Sequence, residues 1–385
     1  MARHAGGMDV RAEPLPALRA RTSEKWTAYP DDVLPLFVAE MDYPLAEPIR
    51  RAVVERVEAS DTGYVHGAGE LPDAFVGFAE RTWGWRPDPA RVRTTTDVSV
   101  AIVETLRQAI APGDAVVITP PVYPPFKDLV DEAGAARVDV PLVDRDGTPA
   151  LDLDGLERAF AAGARAMVLC HPHNPVGVVH PVEDLRRLAE IARRHDVVVV
   201  SDEIHGPLVH APTSFTPFLD VSDDAREVGV CVTAASKGWN VAGTKCALMV
   251  AASDRSLALL DAMPEEVGFR TSILGLHAST AAFRSGDEWL AGALAAIDAN
   301  RRLLADLLAE HLPAVRYRLP DATYLAWLDF RDAGWGDDPA ERALAAGVAL
   351  VPGPTFGAEG RGHARLNLAC SPEVLTEAVH RLARA

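Results

Sequence analysis

Four short runs of the chain are apolar without alternation, and they constrain the fold more than any other feature. They read AVVIT (115–119), ARAMVLC (164–170), DVVVVSD (196–202) and VGVCVT (228–233). A strand with apolar side chains on both faces is buried on both faces, which is typical of a parallel sheet covered by helices on either side. Helical patterns lie between the runs. The sequence therefore predicts an α/β fold with a mostly parallel sheet.

The length of the chain indicates more than one domain. A single hydrophobic core rarely serves 385 residues, so we expect two domains. We predict an N-terminal arm over residues 1–47 that joins a smaller domain, a large domain over 48–285, and the rest of the small domain over 286–385. A long amphipathic helix is predicted over 287–311, followed by short strands and a closing helix from Pro372.

The composition argues against several classes of protein. The net charge is −17, whereas nonspecific binding of nucleic acid requires basic patches. No run of about 18 apolar residues occurs, so we predict no transmembrane helix. The first ten residues, MARHAGGMDV, lack an apolar h-region, so we expect no signal peptide and a cytoplasmic protein. The cysteines fit neither a zinc site nor a disulfide framework; they are Cys170, Cys231, Cys246 and Cys370.

Lys237 follows the last apolar run, after a few small and hydroxylated residues. A lysine held among hydroxyl groups at the end of a buried strand can lose its proton and act as a nucleophile or Schiff-base partner. The alternative is a lysine whose ammonium group simply reaches solvent. The other strand ends decide between these interpretations.

Two further strand ends carry groups that suit a phosphate and a planar ring. The segment Thr94–Ser99 leads into a helix, whose N-terminal N–H groups attract phosphate. Its alternative role is helix capping by Asp97 or Ser99. In PPVYPPF (120–126), four prolines surround Tyr123, whose ring could stack on a ligand or pack beneath the loop.

The remaining strand ends supply an amide and a carboxylate. Asn174 follows a strand in HPHNPVG (171–177), and the proline after it disfavours helix, so its amide can bind a ligand. Asp202 ends the VVVV run, where burial of a carboxylate is costly without a cation. Its partner is either a basic side chain in a structural ion pair or the protonated nitrogen of a heterocyclic ligand. We expect no metal at His171 and His173, because no third ligand lies at a known spacing.

Together these groups match the requirements of one cofactor. They provide a phosphate cup, a stacking ring, an amide donor, a deep carboxylate and an amine, all expected at the carboxyl ends of strands, where α/β sheets bind ligands. Pyridoxal phosphate needs each of these parts. We therefore predict that Asp202 keeps its ring nitrogen protonated and that Lys237 binds its aldehyde.

The order Asn174, Asp202, Ser236-Lys237 resembles that of fold-type I pyridoxal-phosphate enzymes of the class I/II aminotransferase superfamily. Further stretches resemble its MalY/PatB subgroup of cystathionine β-lyases, and they extend from about Lys25 to the last helix. They are LPLFVAEMDYPLAEPI, TGYVHGAGELPDAF, HPHNPVG, SDEIH, SKGWNVAG, GDEWL, PGPTFGAEG and ARLNLACSPEVL. The resemblance implies an aspartate-aminotransferase-like fold, with a mostly parallel seven-stranded sheet in the large domain and a smaller α+β domain.

The resemblance also implies roles for individual residues. The catalytic residues are Lys237, Tyr123 and Asp202, with Lys237 as Schiff-base lysine and proton carrier. The cofactor is held by these three and by Thr96, Asp97, Val98, Asn174, His205, Thr233, Ser236 and Tyr64. The substrate is bound by Arg365, Tyr64 and Asp42, with Arg365 gripping its carboxylate. Tyr64 is expected to reach the phosphate of a neighbouring subunit, which implies a homodimer.

Several positions depart from the family pattern. Lys245 stands where many aminotransferases place a phosphate-binding arginine, and Thr95-Thr96-Asp97 replaces the expected Pro-Gly-Val type of cup. Pro124 replaces a second tyrosine, and Thr213-Ser214-Phe215 replaces a His-Lys-His-like stretch. We expect these changes to surround the substrate.

The activity implied is β-elimination from L-cystathionine or a related L-cysteine S-conjugate, which gives a thiol, pyruvate and ammonia. The alternative is an aminotransferase with a keto-acid acceptor, which needs the same Lys237 and Arg365. A non-catalytic regulator is disfavoured by the complete set of lysine, aspartate and asparagine. A nicotinamide-dependent dehydrogenase is disfavoured because no G-x-G-x-x-G follows the first strands.

Overall fold

The computed structural model describes residues 8–385. Residues 1–7, on which the prediction about a signal peptide largely rests, lie outside the described residues. Within 8–385, no helix combines the length and apolar character that crossing a bilayer requires.

The strands are short and lie mostly between helices. In chain order they are β1 Leu34–Pro35, β2 Val92–Thr95, β3 Ala115–Ile118, β4 Ala136–Asp139, β5 Val143–Arg145, β6 Thr148–Ala150, β7 Ala166–Cys170, β8 Val198–Asp202, β9 Gly229–Thr233, β10 Ala247–Ala251, β11 Arg316–Tyr317, β12 Leu325–Asp329, β13 Val348–Ala349, β14 Val351–Pro352 and β15 His363–Asn367.

The helices range from single turns to a helix of 25 residues. They are α1 Leu15–Arg19, α2 Glu24–Thr27, α3 Glu47–Glu58, α4 Leu71–Trp83, α5 Val98–Ala109, α6 Pro125–Glu132, α7 Leu153–Ala161, α8 Val182–Arg194, α9 Asp223–Val228, α10 Ala235–Gly238, α11 Asp254–Asp261, α12 Glu265–Phe269, α13 Ile273–Ser285, α14 Asp287–His311, α15 Pro339–Ala345 and α16 Pro372–Ala383.

The larger of two compact units, which we call the sheet unit, comprises residues 45–173 and 178–286. Its seven-stranded sheet has the order β2-β10-β9-β8-β7-β3-β4. The pairs from β9 to β4 are parallel, and β10 is antiparallel to both β9 and β2. The predicted mostly parallel seven-stranded sheet is confirmed.

Burial explains why the apolar runs form the centre of this sheet. Every residue of β7, β8, β9 and β10 is buried. The covering helices have one apolar face; in α8 the buried residues Leu185, Leu188, Ala189 and Ala192 recur at the spacing of a helical stripe. The carboxyl ends of β7, β8 and β9 lie side by side, since Cys170 is opposite Asp202 and Asp202 is opposite Val232.

The second unit, which we call the terminal unit, comprises residues 8–44, 174–177 and 287–385. It contains an antiparallel sheet of four strands in the order β11-β12-β15-β14 and a parallel pair, β1 with β13. Helices α14 and α16 belong to it, and α14 has the predicted limits. Strand β15 lies inside its sheet and is buried along its length.

The structure differs from the sequence-based expectation at short elements. The run VGVCVT was expected to be strand from Val228, but Val228 ends helix α9, because the side chain of Ser222 caps this helix by accepting from the Ala225 N–H. Helix α11 and the hairpin β5–β6 were not predicted. A capping box between Ser253 and Ser256 starts α11, and elements this short carry too few periodic positions to be recognised.

Candidate active site

Lys237 lies on a one-turn helix directly after the buried strand β9. The strand ends at Thr233, and α10 carries Lys237 as its third residue, half-buried. Trp239 anchors this turn, because its buried indole N–H donates to the Gly286 carbonyl oxygen at 3.0 Å. A Cβ at Gly286 would overlap the indole nitrogen, so only glycine fits there. No local pattern in the sequence indicated that Trp239 supports this turn.

Asp202 is the last residue of β8 and is only 7% exposed. Its Oδ1 accepts from the Ile204 N–H at 3.1 Å. Burial raises the pKa of this carboxyl group to about 7, and that hydrogen bond and the charge of Lys237 oppose the shift. A carboxylate in this position gains most from a cationic partner. Its surroundings therefore fit the protonated ring nitrogen predicted for it.

Glu203 provides a second buried carboxylate, whose role the sequence analysis did not identify. It accepts from Ser201 Oγ at 2.9 Å, from the Phe218 N–H at 2.8 Å and from Cys231 Sγ at 3.3 Å. Burial raises the pKa of Glu203 to about 7 against these hydrogen bonds. Glu203 thus fixes the strand end that carries Asp202. The signal in the sequence was a second acid directly after the VVVV run.

Asp97, predicted in the phosphate cup, caps helix α5. Its Oδ1 accepts from the Val100 N–H at 2.9 Å, and its Oδ2 pairs with Lys245 Nζ at 3.1 Å. Thr96 and Val98 flank it, Thr96 half-buried before the helix and Val98 as its first residue. The Asp97 carboxylate therefore already binds the Lys245 ammonium group and the Val100 N–H, two groups that could otherwise bind a phosphate.

Four more residues predicted at the cofactor belong to the sheet unit as well: Tyr123, Thr233, His205 and Ser236. Tyr123 is half-buried and meets Phe126 edge-on, with ring centroids 5.8 Å apart. Thr233 is buried, and its hydroxyl donates to the Glu203 carbonyl oxygen at 3.3 Å. His205 is buried before a short 3-10 turn, and Ser236 is half-buried on α10.

Phe215, which we expected near the substrate, lies in a packed ring cluster of the sheet unit. It is buried and stacks on His171 with ring centroids 4.8 Å apart. Burial lowers the pKa of His171 to about 3, so its imidazole is neutral. Nε2 of His171 contacts the Thr216 carbonyl oxygen at 3.1 Å, and Nε2 of His173 contacts the Thr119 carbonyl oxygen at 3.3 Å. Both histidines are fully buried in the core of the sheet unit.

Arg365 and Asn174 meet in the terminal unit. Arg365 lies on β15 and is buried; its Nη1 donates to Asn174 Oδ1 at 3.0 Å and its Nη2 donates to the Phe37 carbonyl oxygen at 3.0 Å. The guanidinium also lies over the Phe356 ring, 5.3 Å from its centroid. These contacts hold the guanidinium in one orientation.

Asp42 does not occupy the position expected of a substrate-binding carboxylate. Both Asp42 and Lys25 are 1% exposed, and Asp42 Oδ1 lies 2.6 Å from Lys25 Nζ. Breaking a buried pair of this kind would leave an uncompensated charge in the core, so the carboxylate stays paired with its lysine. Tyr64, in contrast, is 95% exposed to solvent in the loop before α4.

The chain is similar to known proteins over nearly its whole length. Residues 31–382 match the family model described as Aminotransferase class I and II. A cystathionine beta-lyase of Corynebacterium glutamicum is 36% identical over 375 residues, which cover 97% of this chain and 99% of that protein. The cystathionine beta-lyase PatB of Bacillus subtilis is 34% identical over 92% of each chain. The crystal structure of cystalysin from Treponema denticola, which contains a pyridoxal 5'-phosphate cofactor, matches with a TM-score of 0.89 at 26% identity, over 95% of this chain and 96% of that one.

Proposed function

The chain belongs to the class I and II aminotransferase family, as its motifs predicted, and from this premise we propose that it is a pyridoxal-phosphate-dependent C–S lyase. It cleaves L-cystathionine or a related L-cysteine S-conjugate by β-elimination. The names of the two bacterial relatives support this choice of reaction. The observation that carries the proposal is the buried Asp202 carboxylate at the end of β8. It lies close enough to Lys237, which follows the adjacent strand β9, for the charge of the lysine to affect the pKa of the carboxyl group.

Pyridoxal phosphate, when bound, supplies a protonated ring that draws electrons from the substrate Cα. Asp202 suits the ring nitrogen, because a cation beside it would offset the cost of its burial. We assign the phosphate to the backbone amides and hydroxyls around Thr96, Asp97 and Val98, together with Thr233 and Ser236. The other residues that we assign to the cofactor are Tyr123, Asn174, His205, Lys237 and Tyr64.

The residues of the chain supply binding and proton transfer. Arg365 binds the α-carboxylate of the substrate through two parallel N–H groups. Lys237 Nζ takes the proton from Cα. The Cβ–S bond then breaks, and the sulfur leaves with the bonding electrons and acquires a proton to become the thiol. Water replaces nitrogen on the remaining three-carbon fragment, which gives pyruvate and ammonia.

We also propose that the enzyme is a cytoplasmic homodimer in which Tyr64 contacts the cofactor phosphate of the neighbouring copy. The exposed tyrosine ring supports this assignment, since a ring this exposed is available to a second subunit. Analytical ultracentrifugation should show a dimer. Tyr64→Phe should lower the affinity for the cofactor, and the variant should remain a dimer.

The reaction is tested by supplying L-cystathionine to the holoenzyme without any keto acid. Pyruvate and thiol in equal amounts are expected. Turnover that appears only when a keto-acid acceptor is added, with no thiol released, would overturn the lyase proposal in favour of an aminotransferase.

A further inference from the structure

An irregular segment of the terminal unit, Phe37–Met41, has an unusual set of hydrogen bonds. Each of its main-chain carbonyl groups accepts from a side chain elsewhere in the unit. A backbone without a helix or sheet ladder must satisfy its buried carbonyl groups in another way, and side chains do so here. The segment is therefore held in place by side chains along its whole length.

The donors come from elements far apart in the chain. The contacts are Arg365 Nη2 to Phe37 at 3.0 Å, Asn367 Nδ2 to Val38 at 2.7 Å and to Glu40 at 2.6 Å, Tyr324 OH to Ala39 at 2.8 Å, Lys25 Nζ to Glu40 at 3.3 Å and Arg21 Nη1 to Met41 at 3.2 Å. At the ends of the segment, the Leu36 N–H donates to Ala349 and the Asp42 N–H donates to Ala369.

Asn367 is central to this arrangement. It is 0% exposed, and its amide donates to two carbonyl groups of the segment while its Oδ1 accepts from the Ala369 N–H at 2.8 Å. It stands two residues after Arg365 on β15, so both side chains project from the same face of the strand. Arg365 and Asn367 therefore hold neighbouring parts of one segment.

We propose that Asn367 is a positioning residue for Arg365: it fixes the segment 37–41, whose Phe37 carbonyl group sets the orientation of the guanidinium. The buried Lys25–Asp42 pair supports the far end of the segment through the Glu40 carbonyl group. This inference rests on the proposed role of Arg365 as the group that binds the substrate carboxylate. It also gives Asp42 a structural role in place of the predicted contact with substrate.

The chain offers a matched control for this proposal. Asn300 is also buried, and its Nδ2 donates to the carbonyl oxygens of Leu368 and Cys370, each at 2.8 Å. Asn300→Ala and Asn367→Ala each leave two buried carbonyl groups without their amide partner, so both should lower the melting temperature. Asn367→Ala should lower it somewhat more, because the Ala369 N–H also loses its acceptor. Only Asn367→Ala acts on the segment that orients Arg365.

The experiment measures kcat and KM of the holoenzyme for L-cystathionine by pyruvate release. Asn367→Ala should raise KM about tenfold with kcat within about twofold, whereas Asn300→Ala should leave both near their wild-type values. In an Arg365→Lys background, Asn367→Ala should raise KM no further, because its effect passes through the arginine. Equal changes of KM in the two alanine variants, or full additivity with Arg365→Lys, would overturn the proposal.

Two further outcomes separate this inference from the proposed function. If Arg365→Lys leaves KM unchanged, Arg365 does not bind the carboxylate, and the assigned role of Arg365 fails together with the inference. If Arg365→Lys raises KM and Asn367→Ala does not, the inference alone fails. Should Asn367→Ala not fold, Tyr324→Phe decides the matter. It removes the hydroxyl group that donates to the Ala39 carbonyl oxygen and should raise KM about threefold, and an unchanged KM would refute the inference.

Discussion

Arg365 Nη1 donates to Asn174 Oδ1 across 3.0 Å, although the two residues are 191 positions apart in the chain. This contact orients the amide of Asn174, because its oxygen faces the guanidinium group and its NH₂ group therefore points away from it. The same side chain thus connects the proposed binding of the substrate carboxylate with the proposed contact to the cofactor ring.

Replacing Asn174 by aspartate tests this connection. The new carboxylate would pair with Arg365 and compete with the carboxylate of the substrate. We expect Asn174→Asp to raise KM for L-cystathionine by more than about tenfold, since a charge-assisted contact is worth on the order of 1.5–3 kcal/mol. Steady-state kinetics measure this change. Asn174→Ser, which introduces no charge, serves as the control and should raise KM less.

Lys237 is expected to be indispensable to turnover. Lys237→Ala removes the group that accepts the Cα proton, and general acid–base catalysis alone contributes about 10²–10⁴-fold. We expect kcat to fall by at least that factor, as measured by pyruvate release. Lys245→Ala provides a comparison, because it removes a lysine of the same unit that pairs with Asp97. An equal loss in both variants would contradict the assignment of the proton carrier to Lys237.

Continuous apolar runs allowed the centre of the sheet unit to be predicted from the sequence. The limits of α14 and the strand ends at Asp202 and Thr233 also followed from local patterns. These features depend on neighbours within a few residues, where hydrophobic periodicity and strand burial are visible in the sequence.

Contacts between distant residues could not be predicted in the same way. The expectation that Asp42 binds the substrate did not take account of Lys25, which pairs with it within the core. The stacking of Phe215 on His171 was not predicted either. Nor does the sequence indicate that Asn367 satisfies two carbonyl groups of a segment more than 300 residues before it. Such pairings depend on tertiary packing, which cannot be deduced from the composition or from the spacing of residues in the sequence.

Asp97 makes a specific prediction about affinity for the cofactor. Its carboxylate pairs with Lys245 at the start of α5, where we place the phosphate, so it opposes a second negative charge. Asp97→Asn retains a capping side chain but removes the charge. We expect it to increase the preference for pyridoxal phosphate over pyridoxal about fivefold, which corresponds to about 1 kcal/mol, the energy of two charges about 4 Å apart in water.

Equilibrium dialysis of both cofactors isolates the contribution of the phosphate, because pyridoxal lacks only that group. Lys245→Met should change the preference in the opposite direction, since it removes a positive charge. A preference that is unchanged or lower in Asp97→Asn would show that the phosphate lies elsewhere.

Glu203 predicts how stability depends on pH. Burial raises its pKa from 4.5 to about 7. Between these pH values the folded protein keeps a proton that the unfolded chain has released, so the free energy of unfolding falls as the pH rises through this window. Glu203→Gln cannot titrate and still accepts from Ser201 and the Phe218 N–H. The wild-type free energy of unfolding, relative to that of Glu203→Gln, should therefore fall by on the order of 3 kcal/mol from pH 4.5 to 7.

Urea unfolding of both proteins at several pH values measures this difference. Asp202 titrates in the same window in both proteins, and its charge raises the pKa of Glu203, so subtracting the two curves gives the contribution of Glu203 together with its coupling to Asp202. Below pH 4.5 the difference should be constant, because the carboxyl group is protonated in both the folded and the unfolded state. Parallel curves across the whole range would mean that the Glu203 carboxylate is ionised in the folded protein. In that case its three donors outweigh the cost of burial, and the strand end that carries Asp202 is held by a charge rather than by a neutral acid.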